Sequence, residues 1–181
     1  MKKQMYRIGP LVLAAVFCAA VWASETVMTT PKDFTLKSVD GKQEFQLSKA
    51  ETKFVALHFL LKTECPICMR YTQEYAAHAK EFPDVTHVFI KPDEPAETLK
   101  WFSKFDASKA EAPVIYHDKD AVLAKRYMIK YGYEFHGEVM HFPAFILTDK
   151  TGKVHFRYEG KDNRDRFDYK ELAEKLKEMQ S

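Results

Sequence analysis

Two cysteines three positions apart, Cys65 and Cys68, stand where a nearly unbroken apolar run, residues 53 to 61, gives way to a segment with helical periodicity. That run, Lys-Phe-Val-Ala-Leu-His-Phe-Leu-Leu, is rich in β-formers and reads as a buried central strand. From Pro66 onward, Ile67, Tyr71, Tyr75, His78 and Phe82 recur at three- and four-residue intervals, which predicts an amphipathic helix with proline at its first position. The Cys-Pro-Ile-Cys unit therefore sits at a strand-to-helix handover. This confines the chain to layered folds in which strand ends meet helix starts.

The same alternation runs through the rest of the sequence. Phe34-Thr35-Leu36, the turn dipeptide Asp40-Gly41 and Phe45-Gln46-Leu47 predict an N-terminal β-hairpin. Strands are expected at 85–90, 113–116, 144–148 and 153–158, and helices at 95–105, 120–130 and 168–179. Residues 131 to 142 read as an irregular aromatic loop, able either to touch a partner or to fold back on the core. The expectation is one α/β domain over residues 34–181 with a single central sheet, preceded by a polar lead-in at 24–33.

Residues 1–23 have the pattern of a secretory signal peptide. Lys2, Lys3 and Arg7 precede the uncharged run Leu11 to Ala23, which closes on Val21-Trp22-Ala23. The run is short for a membrane span, which needs about 20 apolar residues. Contact with a membrane is expected only if this segment is retained as an anchor. Cys18 belongs to its apolar stretch, and Phe17 stands where a bacterial lipoprotein signal carries a small residue. The full chain has 28 Lys and Arg against 26 Asp and Glu, a formal charge of +2. Loss of the three N-terminal cations takes this to −1, so no basic surface for nucleic acid is indicated. The reading is a periplasmic or otherwise extracytoplasmic protein.

With Cys18 in the leader, Cys65 and Cys68 are the remaining cysteines. A disulfide between them closes almost no loop, so a stabilising staple is a weak explanation. Structural zinc asks for four ligands, and there is one pair. A redox dithiol is what remains. At a helix start, a thiolate gains free backbone N–H groups and the positive end of the helix dipole. Such thiols have pKa values of roughly 3.5 to 7.5 against about 8.5 for a free cysteine. Cys65 is then the nucleophile and Cys68 the resolving sulfur of a Cys65–Cys68 disulfide, both exposed enough to meet a polypeptide.

These pieces, with Phe142-Pro143 before Ala-Phe-Ile-Leu-Thr-Asp149 and then Gly152 to Gly160, resemble the thioredoxin-like superfamily. The likeness is to exported redoxins of the TlpA/ResA and AhpC/TSA type. It implies a thioredoxin-like fold with a central mixed β-sheet flanked by helices. The implied activity is thiol–disulfide oxidoreduction, with no cofactor beyond the redox-active disulfide, a protein thiol or disulfide as client and a redox partner protein. The resemblance also implies a cis Phe142–Pro143 peptide that faces the dithiol and presents substrate-binding backbone.

The departures define the alternatives. Glu64 stands where such proteins carry Trp, and it opposes a thiolate that Lys62 and Arg70 favour. Tyr71 occupies the place of the ResA-type glutamate, leaving the proton-handling base unassigned; His58 on the central strand is a candidate but reads first as a core residue. A peroxiredoxin motif would put Pro and Thr where His58 and Lys62 stand, with Thr63 one step off, so Cys65 as a peroxidatic cysteine is an alternative without its motif. His141 lies eight residues before Asp149, as in Sco-type copper chaperones, which makes copper on Cys65, Cys68 and His141 a second alternative. Arg164 and Arg166 read as surface charges.

Overall fold

A computed structural model describes residues 31–62 and 65–179. The expected leader, most of the lead-in, Thr63 and Glu64 lie outside the described residues. No described helix is long and apolar enough to cross a membrane.

Among the described residues, nine strands and four α-helices follow one another. They are β1 (Thr35–Ser38), β2 (Glu44–Gln46), β3 (Phe54–Phe59), α1 (Pro66–His78), β4 (Val85–Lys91), α2 (Pro95–Phe102), β5 (Ile115–His117), α3 (Val122–Arg126), β6 (Tyr131–Phe135), β7 (Glu138–His141), β8 (Ala144–Thr148), β9 (Val154–Glu159) and α4 (Tyr169–Glu178). Seven strands form one mixed sheet in the order β2-β1-β5-β4-β3-β8-β9. β3 lies at its heart, parallel to β4 and antiparallel to β8. All six residues of β3 are buried, as its apolar run requires.

Strand alternation sorts side chains into two cores. Phe54, Ala56 and Leu60 join Phe89, Phe145, Tyr71, Tyr75 and Leu172 on the face that carries α1 and α4. Val55, Leu57 and Phe59 join Val88, Ile90, Ile146, Leu123 and Tyr127 on the other. Burying each of these large side chains contributes roughly 1.5–3 kcal/mol, so the β3 register is strongly fixed.

Three local expectations are corrected. Residues 131–142 are a two-stranded hairpin, β6 against β7, rather than an irregular loop. Tyr131, Tyr133 and Phe135 alternate with polar residues, and His136-Gly137 turns with φ of 50° and 79°, the left-handed pair that a tight hairpin demands. The helix expected at 120–130 is confined to Val122–Arg126. The buried Asp118 carboxylate accepts from Leu123 N at 2.8 Å and Ala124 N at 3.0 Å, fixing the start, and Met128 at φ 54° ends it. Finally, no described peptide bond is cis. Phe142-Pro143 joins β7 to β8 through the trans isomer, the default for a peptide before proline.

Candidate active site

Cys65 is the N-cap of α1, in extended backbone, with Pro66 at the first helical position. Its Sγ accepts the N–H of Cys68 at 3.0 Å, so the sulfur takes up a donor that no helical carbonyl can reach. The helix mouth expected from the sequence is there, and both cysteines are free thiols.

The expected exposure is not. Neither Cys65 nor Cys68 has accessible surface, because the chain between β9 and α4 folds back over them. Cys65 Sγ lies 2.9 Å from Asn163 Oδ1. Arg166 Nη2 reaches Cys68 Sγ at 3.3 Å and Cys65 Sγ at 3.9 Å, and holds Asn163 Oδ1 at 2.7 Å. Arg166 Nε also donates to Asn163 O at 3.0 Å. Sequence reading placed Arg166 among the surface charges. It is instead the cation in contact with both sulfurs, brought there by a loop some hundred residues downstream.

The β6–β7 hairpin secures this cover. Asn163 N donates to Tyr133 Oη at 3.0 Å, and Glu138 pairs with Lys62. Lys62 is thus committed to the hairpin and Arg70 lies in a neighbouring cleft, while Arg166 and the buried Lys91 are the cations that act on the thiols. Lys91 Nζ donates to Leu61 O at 2.5 Å and sits 3.3 Å from Asp93 Oδ2.

The two thiols titrate as a unit. Burial raises the Cys68 thiol, but the hydrogen bond from Cys65, then Arg166 and Lys91, outweigh it and bring Cys68 down to about 6. The hydrogen bond to Cys68 and burial push Cys65 up. One negative charge is therefore shared by the pair. The sequence had placed the anion on Cys65 from the helix mouth alone. Arg166 favours a thiolate on either sulfur and lies nearer Cys68.

Pro143 is buried and lines a small cavity with Tyr71 and Arg166, so it does stand beside the site. Its carbonyl is occupied by Gly160 N at 2.9 Å, and Phe142 N is spent on Lys130 O at 2.8 Å. Phe142 packs its ring 5.2 Å from that of Tyr133.

His58 is a partnered core residue. Its Nδ1 meets Tyr71 Oη at 2.9 Å, its Nε2 meets His87 Nδ1 at 3.0 Å, and its ring stacks on Phe89 at 4.4 Å. Burial, then the charge of His87, hold its pKa well below the ordinary histidine value. His141 faces the opposite side of the sheet, its ring against Phe59 and its Nδ1 at 2.7 Å from Phe142 O. Among the described residues no three His, Cys, Asp or Glu side chains stand close enough together to hold a metal.

Arg166 and Asn163 were missed because no local pattern marks them. The signal available was a run of polar residues, Asn163 to Arg166, between a strand and a capped helix, and it does not say what lies beneath.

Comparison with known proteins adds the context. The model of the AhpC/TSA family matches residues 27–157. Among solved structures, peroxidoxin BcpB from Mycobacterium tuberculosis is 23% identical, with a TM-score of 0.65 over 84% of this chain and 97% of that one. The exposed lipoprotein thioredoxin Etrx1 of Streptococcus pneumoniae is 22% identical, with a TM-score of 0.62 over 81% and 98%. A secreted M. tuberculosis disulfide oxidoreductase homologous to Escherichia coli DsbE is 20% identical, with a TM-score of 0.56 over 80% and 95%. A search of curated proteins finds no match.

Proposed function

Because the chain belongs to the AhpC/TSA family, within the thioredoxin-like redoxins, we propose that it is an extracytoplasmic thiol–disulfide oxidoreductase cycling between the Cys65, Cys68 dithiol and their disulfide. The observation that carries this reading is one guanidinium, that of Arg166, in contact with two thiols, the first of which caps α1. Arg166 lowers the cost of one thiolate, and the shared proton lets that charge move between the sulfurs.

The exchange follows from this arrangement. Cys65 passes its proton to the Cys68 thiolate and attacks one sulfur of a substrate disulfide. The substrate S–S bond breaks, half leaves as a thiol after taking a proton, and a mixed disulfide remains on Cys65. Cys68 gives up its proton and attacks Cys65 Sγ. The second substrate half leaves as a thiol, and the chain keeps a Cys65–Cys68 disulfide. Two electrons pass to the substrate with two protons, one from the thiol–thiolate pair and one taken from solvent by the first leaving thiolate, and the reverse sequence oxidises a dithiol.

The cover sets a condition on the client. With both sulfurs sealed beneath Asn163 and Arg166, a polypeptide disulfide reaches Cys65 only when the loop and the β6–β7 hairpin move aside. A redox partner protein that resets the pair meets the same requirement. The export signal read in the leader is consistent with the secreted or exposed proteins among the structural relatives.

The reading is tested by titrating the purified protein in glutathione redox buffers, trapping free thiols by alkylation and locating them by mass spectrometry. One two-electron couple linking Cys65 and Cys68 is expected, lost in Cys65→Ser and in Cys68→Ser. Two independent thiols that never form an internal disulfide would refute it. A thiol peroxidase is the second reading, favoured by the closed cover, which admits a peroxide more readily than a peptide, and by Arg166 at the sulfurs. Rapid peroxide consumption with overoxidation confined to Cys65, and no insulin reduction, would select it. Copper on Cys65, Cys68 and His141 receives no support from the placement of His141.

A further inference from the structure

A cleft of about 280 Å³ opens beside the dithiol, between α1 and the segment that leads into α4. Three arginines line it: Arg70 from the second turn of α1, and Arg164 and Arg166 from the covering loop. None of the three makes an ion pair with a carboxylate among the described residues. Arg70 and Arg164 are exposed, and among the described residues neither makes a side-chain hydrogen bond. Arg166 is divided: Nε and Nη2 hold Asn163 and the sulfurs, and Nη1 has no partner among the described residues. The guanidinium that touches Cys65 and Cys68 on one edge therefore lines the cleft as well.

Two carboxylates share the lining. Asp168 is engaged as the N-cap of α4, accepting Lys170 N at 2.9 Å, and Glu74 lies one turn beyond Arg70 on α1. They leave the lining with a surplus of one positive charge and with its unspent donors concentrated on the arginines. Planar forks of this kind suit carboxylates, which they can bind through two parallel hydrogen bonds.

Resting on the dithiol reading above, we propose that this cleft is the substrate site and that Arg70, Arg164 and Arg166 Nη1 select low-molecular-weight disulfides that carry carboxylates close to the sulfurs. A carboxylate held by Arg166 stands across one guanidinium from Cys65, which brings the neighbouring S–S bond to the attacking sulfur. It also competes with the sulfurs for that guanidinium, so docking loosens the contact that covers them. One substrate disulfide becomes two thiols while Cys65 and Cys68 become a disulfide, with one proton from the pair and one from solvent.

Three disulfides of similar size and different charge provide the test: dithiodipropionate (anionic), hydroxyethyl disulfide (neutral) and cystamine (cationic). Oxidation of the reduced protein is followed by stopped-flow fluorescence and quenched alkylation. Each rate is divided by that of the same disulfide with dithiothreitol, which removes differences in leaving-group reactivity. The normalised rate should be about three- to tenfold higher for dithiodipropionate than for hydroxyethyl disulfide, lowest for cystamine, and compressed at high salt, as half-exposed charge pairs behave. The preference should shrink toward one in Arg70→Gln/Arg164→Gln and survive in Arg70→Lys/Arg164→Lys. Equal normalised rates, or a preference untouched by the glutamine pair, overturn the cleft assignment while leaving the dithiol intact. If none of the three oxidises the pair, the dithiol reading falls and the cleft assignment with it.

Discussion

At the scale of the single residue, Arg166 is the cation in contact with both cysteines and helps one of them to ionise. Its Nη2 lies within 3.3 Å of one sulfur and 3.9 Å of the other, and Lys91 adds a buried positive charge on the same face. An opposite charge in contact shifts a thiol by about 1 to 3 pH units. Replacing Arg166 with Gln should therefore raise the thiolate midpoint near 6, read from ultraviolet absorbance of the reduced protein, to between about 7 and 9. Alkylation at pH 7 should slow accordingly, and Arg166→Lys should recover part of both. An unmoved midpoint would assign the low value to the Cys65 hydrogen bond and Lys91 alone. The same residue explains why a glutamate three residues after Cys68 is dispensable for charge. Tyr71 occupies that place as a buried, neutral phenol, held by His58 and raised in pKa first by burial.

At the scale of the element, access to the dithiol is a matter of two packed segments. The loop from Gly160 to Arg166 covers the sulfurs, and the β6–β7 hairpin pins it through Tyr133 Oη and Asn163 N. Gly160 is needed for the close return of this loop: a Cβ there would lie 2.0 Å from Asp165 O and 3.0 Å from the Pro143 ring. Tyr133→Phe removes one hydrogen bond from the cover, worth about 1 kcal/mol. Opening should become about fivefold more frequent, by the same arithmetic. Iodoacetamide should then label Cys65 faster by a similar factor, with the circular dichroism spectrum and the thiolate midpoint unchanged. Labelling at the original rate would mean that the sulfurs are reached by another route, such as the arginine-lined cleft.

At the scale of the whole molecule, the sheet separates two chemistries. The α1 face carries the dithiol, Arg166 and the buried string of Tyr71, His58 and His87, and the other face carries His141 and Asp118. Burial lowers His87 from the ordinary 6.5 to about 4, and His58 moves in the same direction. Between these values the unfolded chain binds protons that the folded chain refuses, so stability is lost as pH falls from 6.5 toward 4 and is level with respect to these groups above 6.5. Urea midpoints should decline through that window, and His87→Gln should flatten the slope. A slope that persists unchanged would place the acid sensitivity elsewhere. The lowered carboxylate of Asp33, at about 2, acts only below its ordinary 3.8 and so does not overlap.

What the sequence by itself determined was everything that repeats locally. The β3 run, the period of α1, the capping position of Cys65 and the strands flanking Asp149-Lys150-Thr151-Gly152 could all be placed, because alternation, helical spacing and turn chemistry act over a few residues. Even the misread segment 131–142 had its signal in the alternating Tyr131, Tyr133 and Phe135. Only the tertiary structure decided how the dithiol is covered, which cation faces it and which face of the sheet His141 occupies. Those outcomes depend on segments about a hundred residues apart meeting at one helix start, and electrostatic energy depends on distance in space, of which spacing along the chain carries no record.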